Sequence, residues 1–428
     1  MRLHALDRID GNVGAPMTAA ILSIGTELTR GEVVNTNARW LADELTDIGF
    51  DVTEIATVDD ELDRIAVTLG RLCTTHAVIV ATGGLGPTTD DLTAASVARA
   101  MGVALVRNDA ALDAIRRRFE AAKRPMAASN EKQADLPAGS EVILNPIGTA
   151  PGFAVTIGKA LAFFVPGVPR EMKRLFEDHV APRIGPLAPN LIFQVRLKTY
   201  GLAESAVAET LTGIDRQFSG VTLGYRTQFP EVEVKVRARA GTPTGARDLA
   251  ATAASEVRTR LGDVVYGEGD DTFPAVVARA VRARGYKLAI AESCSGGLVG
   301  HLVTQEPASD YFVADVVTYA NAAKTRLVGV GEDMLRGHGA VSAEVAAAMA
   351  EGVRRVCDAE IGLSLTGIAG PSGATPERPV GLVYWAVAHS GPTIVKNRIF
   401  VGDRRQIQLG AAFAGLSLVR EVCLGKVE

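Results

Sequence analysis

Residues His76–Asp91 read HAVIVATGGLGPTTDD, an apolar run that ends in a glycine-rich, acidic turn. Its apolar part, Val78–Val80, predicts a buried strand, and the residues from Leu92 onward predict a helix. Glycines after a strand let the backbone approach a phosphate closely, and a helix N-terminus offers unpaired amide groups. We therefore expect a strand–turn–helix unit that binds an anion at the edge of an α/β sheet.

The flanking sequence repeats this alternation of strand and helix. Strands are predicted at AAILSIG, DVTEIATV, HAVIVATGG, SEVILNP and LAFFVPG, and helices at residues 37–48, 62–72, 92–100 and 110–123. Such alternation predicts a three-layer α/β/α domain with a parallel sheet covered by helices on both faces. Three more polar turns follow strands, at residues 23–31, 145–152 and 165–172. Because the carboxyl ends of parallel strands meet at one edge, we expect all four turns there.

The rest of the chain divides into two further modules. Residues 191–268 contain charged, alternating strands and a helix at 244–261, which predicts a small α+β module. The α/β rhythm returns over residues 269–428 and predicts a second α/β/α domain. The predicted domains are thus 18–190, 191–268 and 269–428, and residues 1–17 are interpreted as a tail or an alternative start.

Composition indicates a globular protein and argues against several classes of partner. The 428 residues are 47% hydrophobic and 22% charged, with a formal net charge of −4 and no block of lysine and arginine. We therefore expect no nucleic-acid partner. No apolar stretch is long enough for a membrane span, and the N-terminal residues lack the apolar segment of a signal peptide. Four scattered cysteines are typical of a reducing compartment, so we expect a cytoplasmic protein.

The glycine-rich turn and its neighbours predict a first candidate site. Amide groups that can bind a phosphate belong to Gly83, Gly84 and Gly86. Asp90 and Asp91 at the helix N-terminus are candidate ligands for a divalent metal ion. The alternative is that Thr88, Thr89 and Asp90 only cap the helix and that the glycines make a tight turn. Further polar candidates on neighbouring turns are Glu27, Asn35, Asp59 and Asp60, of which the two aspartates are equally compatible with a solvated helix cap.

A second candidate site follows the strand predicted at Leu288–Ile290. The next residues, Ala291–Gly297, read AESCSGG, so a turn rich in serine and glycine offers hydroxyl and amide groups where a helix begins. Lys324 ends the motif VVTYANAAK and is a candidate base for a serine–lysine pair. Cys294 is interpreted as a small buried filler, and His338 as a structural residue beside a helix cap.

The N-terminal motifs resemble those of the CinA family, named for competence/damage-inducible protein A. The similar segments are IGTELTRGEVVNTNARWLA, VIVATGGLGPTTDDLT, NEKQA, NPIGTAPGFAV and FVPGVPREM. The resemblance implies a MogA/MoaB-like, molybdopterin-binding-like domain that is associated with metal-dependent ADP-ribose pyrophosphatase activity. It implies that the metal lies on Asp90 and Asp91 and the diphosphate on the amides of Gly83–Gly86. The alternative is that this domain only binds a nucleotide or a pterin.

The C-terminal motifs resemble the same family, whose C-terminal domain hydrolyses nicotinamide mononucleotide to nicotinic acid mononucleotide and ammonia. The catalytic residues that this resemblance implies are Ser293, Tyr319, Lys324 and Thr366. Ser293 would attack the carboxamide, Lys324 would move the proton, and Tyr319 would align the pair. The substrate-binding groups would be Arg404 at the phosphate and the amides of Ser295, Gly296 and Gly297. No cofactor is implied for this domain.

The whole resemblance implies a bifunctional hydrolase of the pyridine-nucleotide cycle, expected as a homodimer with small-molecule nucleotide substrates. The family name alone leaves open a competence-linked interaction protein. Positions where glycine is common in the family carry side chains here, among them Ala308, Ala314, Asp315 and Ala374. If the backbone needs positive φ there, these residues would be strained.

Overall fold

A computed structural model describes residues 17–188 and 191–427. The predicted tail lies outside the described residues, except for Met17. The described chain forms two compact units. The first contains the residues up to 194 together with 218–222 and 237–253, and the second contains 195–217, 223–236 and the residues from 254 onward. The division into three domains stays a prediction.

The first unit alternates strands and helices as predicted. Its elements are β1 (Thr18–Ile24), α1 (Thr26–Thr29), α2 (Thr36–Ile48), β2 (Asp51–Val58), α3 (Leu62–Thr75), β3 (Val78–Thr82), α4 (Thr93–Met101), β4 (Leu105–Arg107), α5 (Asp109–Ala121), a 3₁₀ segment (Ala128–Ala134), β5 (Asp135–Pro137), β6 (Glu141–Ile143), β7 (Gly152–Ile157), β8 (Ala160–Val165), α6 (Pro169–Leu175), a π turn (Phe176–Val180), α7 (Ala181–Ile184) and a 3₁₀ turn (Gly185–Leu187). The main sheet has the order β2-β1-β3-β8-β7-β6.

Helices cover both faces of this sheet. Along β1, Ala20 and Leu22 pack in a core with α3 and α4, whereas Ala19 and Ile21 pack in a core with α2 and α6. Successive side chains of a strand point to opposite faces, so this division between two cores defines the predicted three-layer arrangement.

The sheet is mixed, not parallel as predicted. Strands β2, β1, β3 and β8 are parallel, but β7 runs antiparallel to β8, and β6 runs antiparallel to β7. The reason is the two-residue turn between Ile157 and Ala160, where Gly158 has φ of 61°. A connection this short can join only antiparallel strands. Because β6 again runs with β8, its carboxyl end still lies at the edge where the other parallel strands end.

The middle segment and the second unit follow in chain order. Their elements are β9 (Ile192–Tyr200), α8 (Glu204–Thr210), α9 (Ile214–Gln217), β10 (Val221–Gln228), β11 (Glu231–Arg239), α10 (Pro243–Leu261), a 3₁₀ turn (Gly262–Val264), β12 (Val265–Glu268), α11 (Phe273–Ala283), β13 (Leu288–Glu292), α12 (Leu298–Val303), β14 (Phe312–Val317), α13 (Asn321–Val328), α14 (Glu332–His338), α15 (Ala343–Val356), β15 (Ile361–Gly367), β16 (Leu382–Ala388), β17 (Ile394–Ile399) and α16 (Arg404–Cys423).

The sheet of the second unit has the order β14-β13-β15-β16-β17. Its first three strands are parallel and its last two are antiparallel additions. On β13, Leu288 and Ile290 pack in a core with α11 and α16, whereas Ala289 and Ala291 pack in a core with α15. Both faces are therefore covered, as predicted for an α/β/α domain.

None of the helices within the described ranges combines the length and the apolarity needed to cross a bilayer.

Candidate active sites

Four turns at the carboxyl edge of the first sheet surround a cavity of about 530 Å³. The sequence-predicted residues that line it are Glu27, Asn35, Gly83, Gly84, Gly86, Asp60, Asp90 and Asp91. The turns after β6 and β8 add Thr149, Ala150 and residues 166–169. The prediction that these four turns meet at one edge of the sheet therefore agrees with the structure, although the sheet is mixed.

Asp91 is held inside the glycine-rich turn. Its carboxylate accepts hydrogen bonds from the amide of Gly86 at 2.7 Å, the amide of Thr88 at 2.8 Å and the Thr88 hydroxyl at 2.5 Å. A carboxylate offers about four lone-pair sites, so these donors occupy most of them. Thr88 itself does not line the cavity. Asp91 therefore shapes the turn. It does not cap α4, whose N-cap residue Leu92 has no side-chain hydrogen bond, so the capping alternative is not what the structure shows.

The predicted metal pair does not fit this geometry. Asp90 is exposed, and hydrogen bonds from Thr88 and from its own backbone, together with the charge of Lys132, lower its pKa. Within residues 17–188 and 191–427, no three His, Cys, Asp or Glu side chains cluster as a metal site. With Asp91 committed to the turn, Asp90 and Asp91 do not form a preformed divalent-metal site.

Several polar groups of the N-terminal cavity are held by their neighbours. Asn35 caps α2 by accepting the amide of Ala38 at 3.0 Å, so its side-chain oxygen has a structural partner. Asp60 accepts the amide and the hydroxyl of Thr26, both at 2.8 Å, and fixes the turn after β1. Asp59 does not line the cavity and forms an ion pair with Arg64 at 3.1 Å.

Two cavity residues escaped the sequence reasoning. Asn37 donates to the carbonyl of Gly167 at 2.7 Å, while its own oxygen Oδ1 is buried without a partner among the described residues. Glu171 accepts a hydrogen bond from Asn145 at 2.7 Å. Asn37 belongs to the motif Asn35-Thr-Asn, and that doubled amide was the signal available for it. Glu171 had no comparable signal because it lies on a helix that follows a proline-rich turn.

Glycine is required at the floor of the cavity, and substitution there should be costly. Gly83 has φ of 108°, and a Cβ atom there would lie 2.0 Å from the carbonyl oxygen of Ile24. We expect Gly83→Ala to lower the free energy of unfolding of the first unit by roughly 3 kcal/mol. The matched control is Gly102→Ala, where φ is 66° but nothing lies within 4 Å, with an expected cost of about 1 kcal/mol. Urea unfolding of both variants measures this; equal costs would contradict it.

In the second unit, Ser293 and Lys324 form a buried pair. Lys324 Nζ donates to Ser293 Oγ at 3.0 Å and to the carbonyl of Thr318 at 2.8 Å. Lys324 is 1% exposed and Ser293 8% exposed. Burial lowers the pKa of Lys324, because water no longer solvates the ammonium form. A lysine that loses its proton readily and touches a hydroxyl is suited to activate that hydroxyl as a nucleophile.

The Ser293–Lys324 pair opens into a cavity of about 250 Å³. Its other lining residues are Cys294, Tyr319, Asn321, Ala340, Val341, residues 366–370, Ser372, Gly373 and Arg404. Burial raises the pKa of the Cys294 thiol to about 12, so this thiol stays protonated and Ser293 is the better nucleophile.

Tyr319 does not align the pair as expected. Its hydroxyl accepts a hydrogen bond from Arg404 Nη2 at 2.9 Å, and Arg404 Nη1 donates to the carbonyl of Gly370 at 2.6 Å. Thr366 donates its hydroxyl to the carbonyl of Ala340 at 2.6 Å. Tyr319 thus holds the guanidinium at the cavity, and Thr366 holds the loop that forms another wall.

The turn Ser295–Gly297 does not line the cavity. The amide of Gly296 donates to the carbonyl of Ser293 at 3.2 Å, and the amide of Gly297 donates to Glu292 at 3.0 Å. The expected role of the amides of Gly296 and Gly297 as substrate donors is therefore not supported, because Ser293 and Glu292 already accept them. Ser295 does not line the cavity either. Ala369 and Gly370 do line the cavity, and their amides have no acceptor among the described residues. The sequence GIAGPSG after β15 was the available signal.

The expected backbone strain is absent. Among the described residues, Lys123 and Asp358 are the non-glycine residues with positive φ, so Ala308, Ala314 and Ala374 sit in ordinary conformations. His338 lies 3.3 Å from Glu344 and does not line the cavity.

Comparisons with known proteins agree with both halves of the fold. Three protein-family models match the chain. The model described as "Probable molybdopterin binding domain" matches residues 20–186, the model "Damage-inducible protein CinA KH domain" matches residues 194–267, and the model "CinA C-terminal domain" matches residues 270–423. A CinA-like protein of Geobacter sulfurreducens is 44% identical over 407 residues, covering 94% of this chain and 98% of that protein. A CinA-like protein of Anaeromyxobacter is 42% identical, covering 95% and 99%.

Solved structures include a competence damage-inducible protein A from Klebsiella pneumoniae, 32% identical over 35% of this chain and 93% of that chain, with a TM-score of 0.34. The fold and the two cavities define a multidomain α/β protein with a molybdopterin-binding-like first unit. The chain belongs to the CinA family.

Proposed function

We propose that the second unit hydrolyses the carboxamide of nicotinamide mononucleotide to give nicotinic acid mononucleotide and ammonia. The observation that carries this proposal is the 3.0 Å contact between Lys324 Nζ and Ser293 Oγ in a buried position beside a cavity. The family resemblance supplies the substrate, and the geometry supplies the nucleophile and its base.

The reaction needs a nucleophile, a proton carrier and an oxyanion site. Neutral Lys324 takes the Ser293 proton as Ser293 Oγ attacks the carboxamide carbon. The protonated Lys324 then gives this proton to the carboxamide nitrogen, which leaves as ammonia. Water then attacks the acyl-serine, Lys324 accepts its proton, and the acid leaves as Ser293 is protonated again. The amides of Ala369 and Gly370 are the proposed oxyanion donors, because these two residues line the cavity and their amides lack an acceptor among the described residues.

Recognition of the phosphate is assigned to Arg404. Its guanidinium is oriented by Tyr319 and by the carbonyl of Gly370, which leaves further N–H groups for a bidentate contact with phosphate oxygens. The cavity thus offers an amide-cleaving pair and a fixed cation, matching a substrate with one carboxamide and one phosphate.

For the first unit we propose the binding of ADP-ribose or a related diphosphate nucleotide. This second candidate is favoured by the glycine floor of the cavity, which Gly83, Gly84 and Gly86 line. The amide of Gly83 already donates to the carbonyl of Val165 at 3.1 Å and that of Gly86 to Asp91, so Gly84 is the glycine of this floor whose amide has no acceptor among the described residues. The resemblance also implies metal-dependent cleavage of the diphosphate. Because the Asp91 carboxylate is held by the turn, we propose that this cavity binds the diphosphate nucleotide. Cleavage of the diphosphate is a separate outcome that the ADP-ribose experiments would detect.

Ammonia release by the purified chain tests the first proposal. Nicotinamide mononucleotide is incubated with the full chain, and ammonia is measured beside a Ser293→Ala variant of matched concentration. We expect release by the native chain and none above background by the variant. No release by the folded native chain, or equal release by Ser293→Ala, would contradict the assignment.

A further inference from the structure

A buried carboxylate fixes the turn that carries Ser293. Glu292, the last residue of β13, is 0% exposed. Its two oxygens accept the amides of Gly297 at 3.0 Å and Gly300 at 2.9 Å, at the start of α12. Since Ser293 follows Glu292 directly, these two bonds tie the position of Ser293 to the start of that helix.

A second carboxyl group lies beside the first. Asp315 on β14 is opposite Ile290 in the parallel register, so it faces the same side of the sheet as Glu292. Both carboxyl groups lie beside Gly300, whose amide donates to Glu292 at 2.9 Å. A Cβ atom on Gly300 would lie 2.3 Å from Asp315 Oδ2, so Asp315 packs against the first turn of α12.

Among the described residues, no ion pair joins either carboxyl group to a cation. The charged residue of β13 near Asp315 is Glu292. The one titratable side chain of α12 is His301, and its exposed ring lies 3.4 Å from Gln305. Asp315 Oδ1 is buried and has no donor among the described residues. Two ionised carboxylates cannot hydrogen-bond to each other, so a proton on Asp315 is what would let its side chain donate to Glu292.

We propose that Asp315 is a positioning residue for Ser293: it is protonated at neutral pH, donates that proton to Glu292, and thereby holds the carboxylate on the amides of Gly297 and Gly300. Burial first, and then the charge of Glu292, raise the pKa of Asp315 to about 8. Above that pH a second negative charge, on the half-buried Asp315, repels Glu292. The two amide bonds weaken and Ser293 leaves Lys324.

Stability against pH tests the shared proton without any substrate. Between the ordinary carboxyl pKa near 4 and the raised pKa, the folded chain keeps a proton that the unfolded chain loses. Within that window, each rise of one pH unit therefore lowers the folding equilibrium constant of the native chain about tenfold. The variant Asp315→Asn has no titrating group at this position, so its folding equilibrium constant does not fall for this reason. We expect the stability advantage of Asp315→Asn to grow from pH 5 to pH 8 and then level off.

The matched control is Asp310→Asn in the same unit. Asp310 is exposed and ion-paired with Arg282 at 2.6 Å, which together with other contacts lowers its pKa to about 2. A lowered carboxyl pKa gives stability that is lost only as pH falls toward that value, so this variant should differ from the native chain by a constant amount between pH 5 and pH 8. If the stability advantage of Asp315→Asn over the native chain is also constant between pH 5 and pH 8, the proposed proton between Asp315 and Glu292 is excluded.

The positioning role rests on the proposed deamidase and has its own readout. Asp315→Asn keeps a donor toward Glu292, whereas Asp315→Ala removes it. We expect Asp315→Ala to lose at least about tenfold in kcat at pH 7, and Asp315→Asn to restore most of it and to abolish the fall in kcat above pH 8. Equal kcat–pH profiles for all three chains would overturn the positioning role. If nicotinamide mononucleotide is not a substrate at all, the stability experiment still decides the shared proton.

Discussion

Lys324→Met is expected to reduce kcat for ammonia release by roughly 10³-fold or more, because Ser293 then has no base at hydrogen-bond distance. Methionine fills a similar volume and removes a buried amine that is costly to charge, so the variant should fold at least as stably as the native chain. Steady-state kinetics with nicotinamide mononucleotide and urea unfolding measure the two effects. A loss of activity with retained stability is the signature of a catalytic role.

The matched control is Lys287→Met, since Lys287 is an exposed lysine whose amine donates to the carbonyl of Asp310, away from the cavity. It should leave kcat within about twofold of the native value. In the native chain kcat/KM should rise with pH through the pKa of Lys324, at a pH below the usual lysine range, because the neutral amine is the active form. A Lys324→Met variant with native kcat would exclude Lys324 as the base.

Asp91→Ala is expected to weaken ADP-ribose binding at least about 100-fold. Removal of the carboxylate leaves the amides of Gly86 and Thr88 without their acceptor, so the glycine-rich turn loses the shape that presents its backbone to the ligand. Titration calorimetry of the full chain with ADP-ribose measures the change, and unfolding curves confirm that the unit remains folded.

Asp90→Ala is the matched control, because Asp90 is the neighbouring carboxylate but is exposed. If the turn account is right, Asp90→Ala weakens binding by less than about threefold. A larger loss for Asp90→Ala than for Asp91→Ala would favour the metal-pair interpretation. Formation of AMP from ADP-ribose on addition of a divalent cation, abolished by Asp90→Ala, would establish cleavage at this cavity.

The alternation of β-branched runs and amphipathic stretches was sufficient to predict most of the fold. Strands such as Val78–Thr82 are buried on both faces and therefore apolar throughout, and helix ends carry recognisable caps, such as Asn35 before α2 and Gly49 after it. The antiparallel direction of β7 was not predicted. That direction depends on the two-residue turn that joins β7 to β8, and the composition of the strand does not indicate it. Helices α13 and α14 were missed because they are short and weakly amphipathic.

The candidate residues were easier to name than their contacts. Glycine and hydroxyl residues after a strand indicate a site, but the sequence does not say which amides are already used within the turn. Gly297 was expected to bind substrate, yet its amide is bonded to Glu292. Tyr319 was expected to contact Lys324, yet it contacts Arg404, which lies 85 residues further along the chain. Such pairings depend on tertiary packing across strands, and local pattern carries no signal for them.

The protonated thiol beside Ser293 has a consequence for chemical durability. Burial raises the pKa of Cys294 far above 7, so its thiolate is scarce at neutral pH, and thiolates are the species that peroxides and electrophiles attack. Cys73 and Cys423 are likewise buried, with pKa values raised to about 11. Because the proposed nucleophile is a hydroxyl and the neighbouring Cys294 thiol stays protonated, the proposed activity should persist during oxidative stress, when enzymes that rely on a cysteine nucleophile are inactivated.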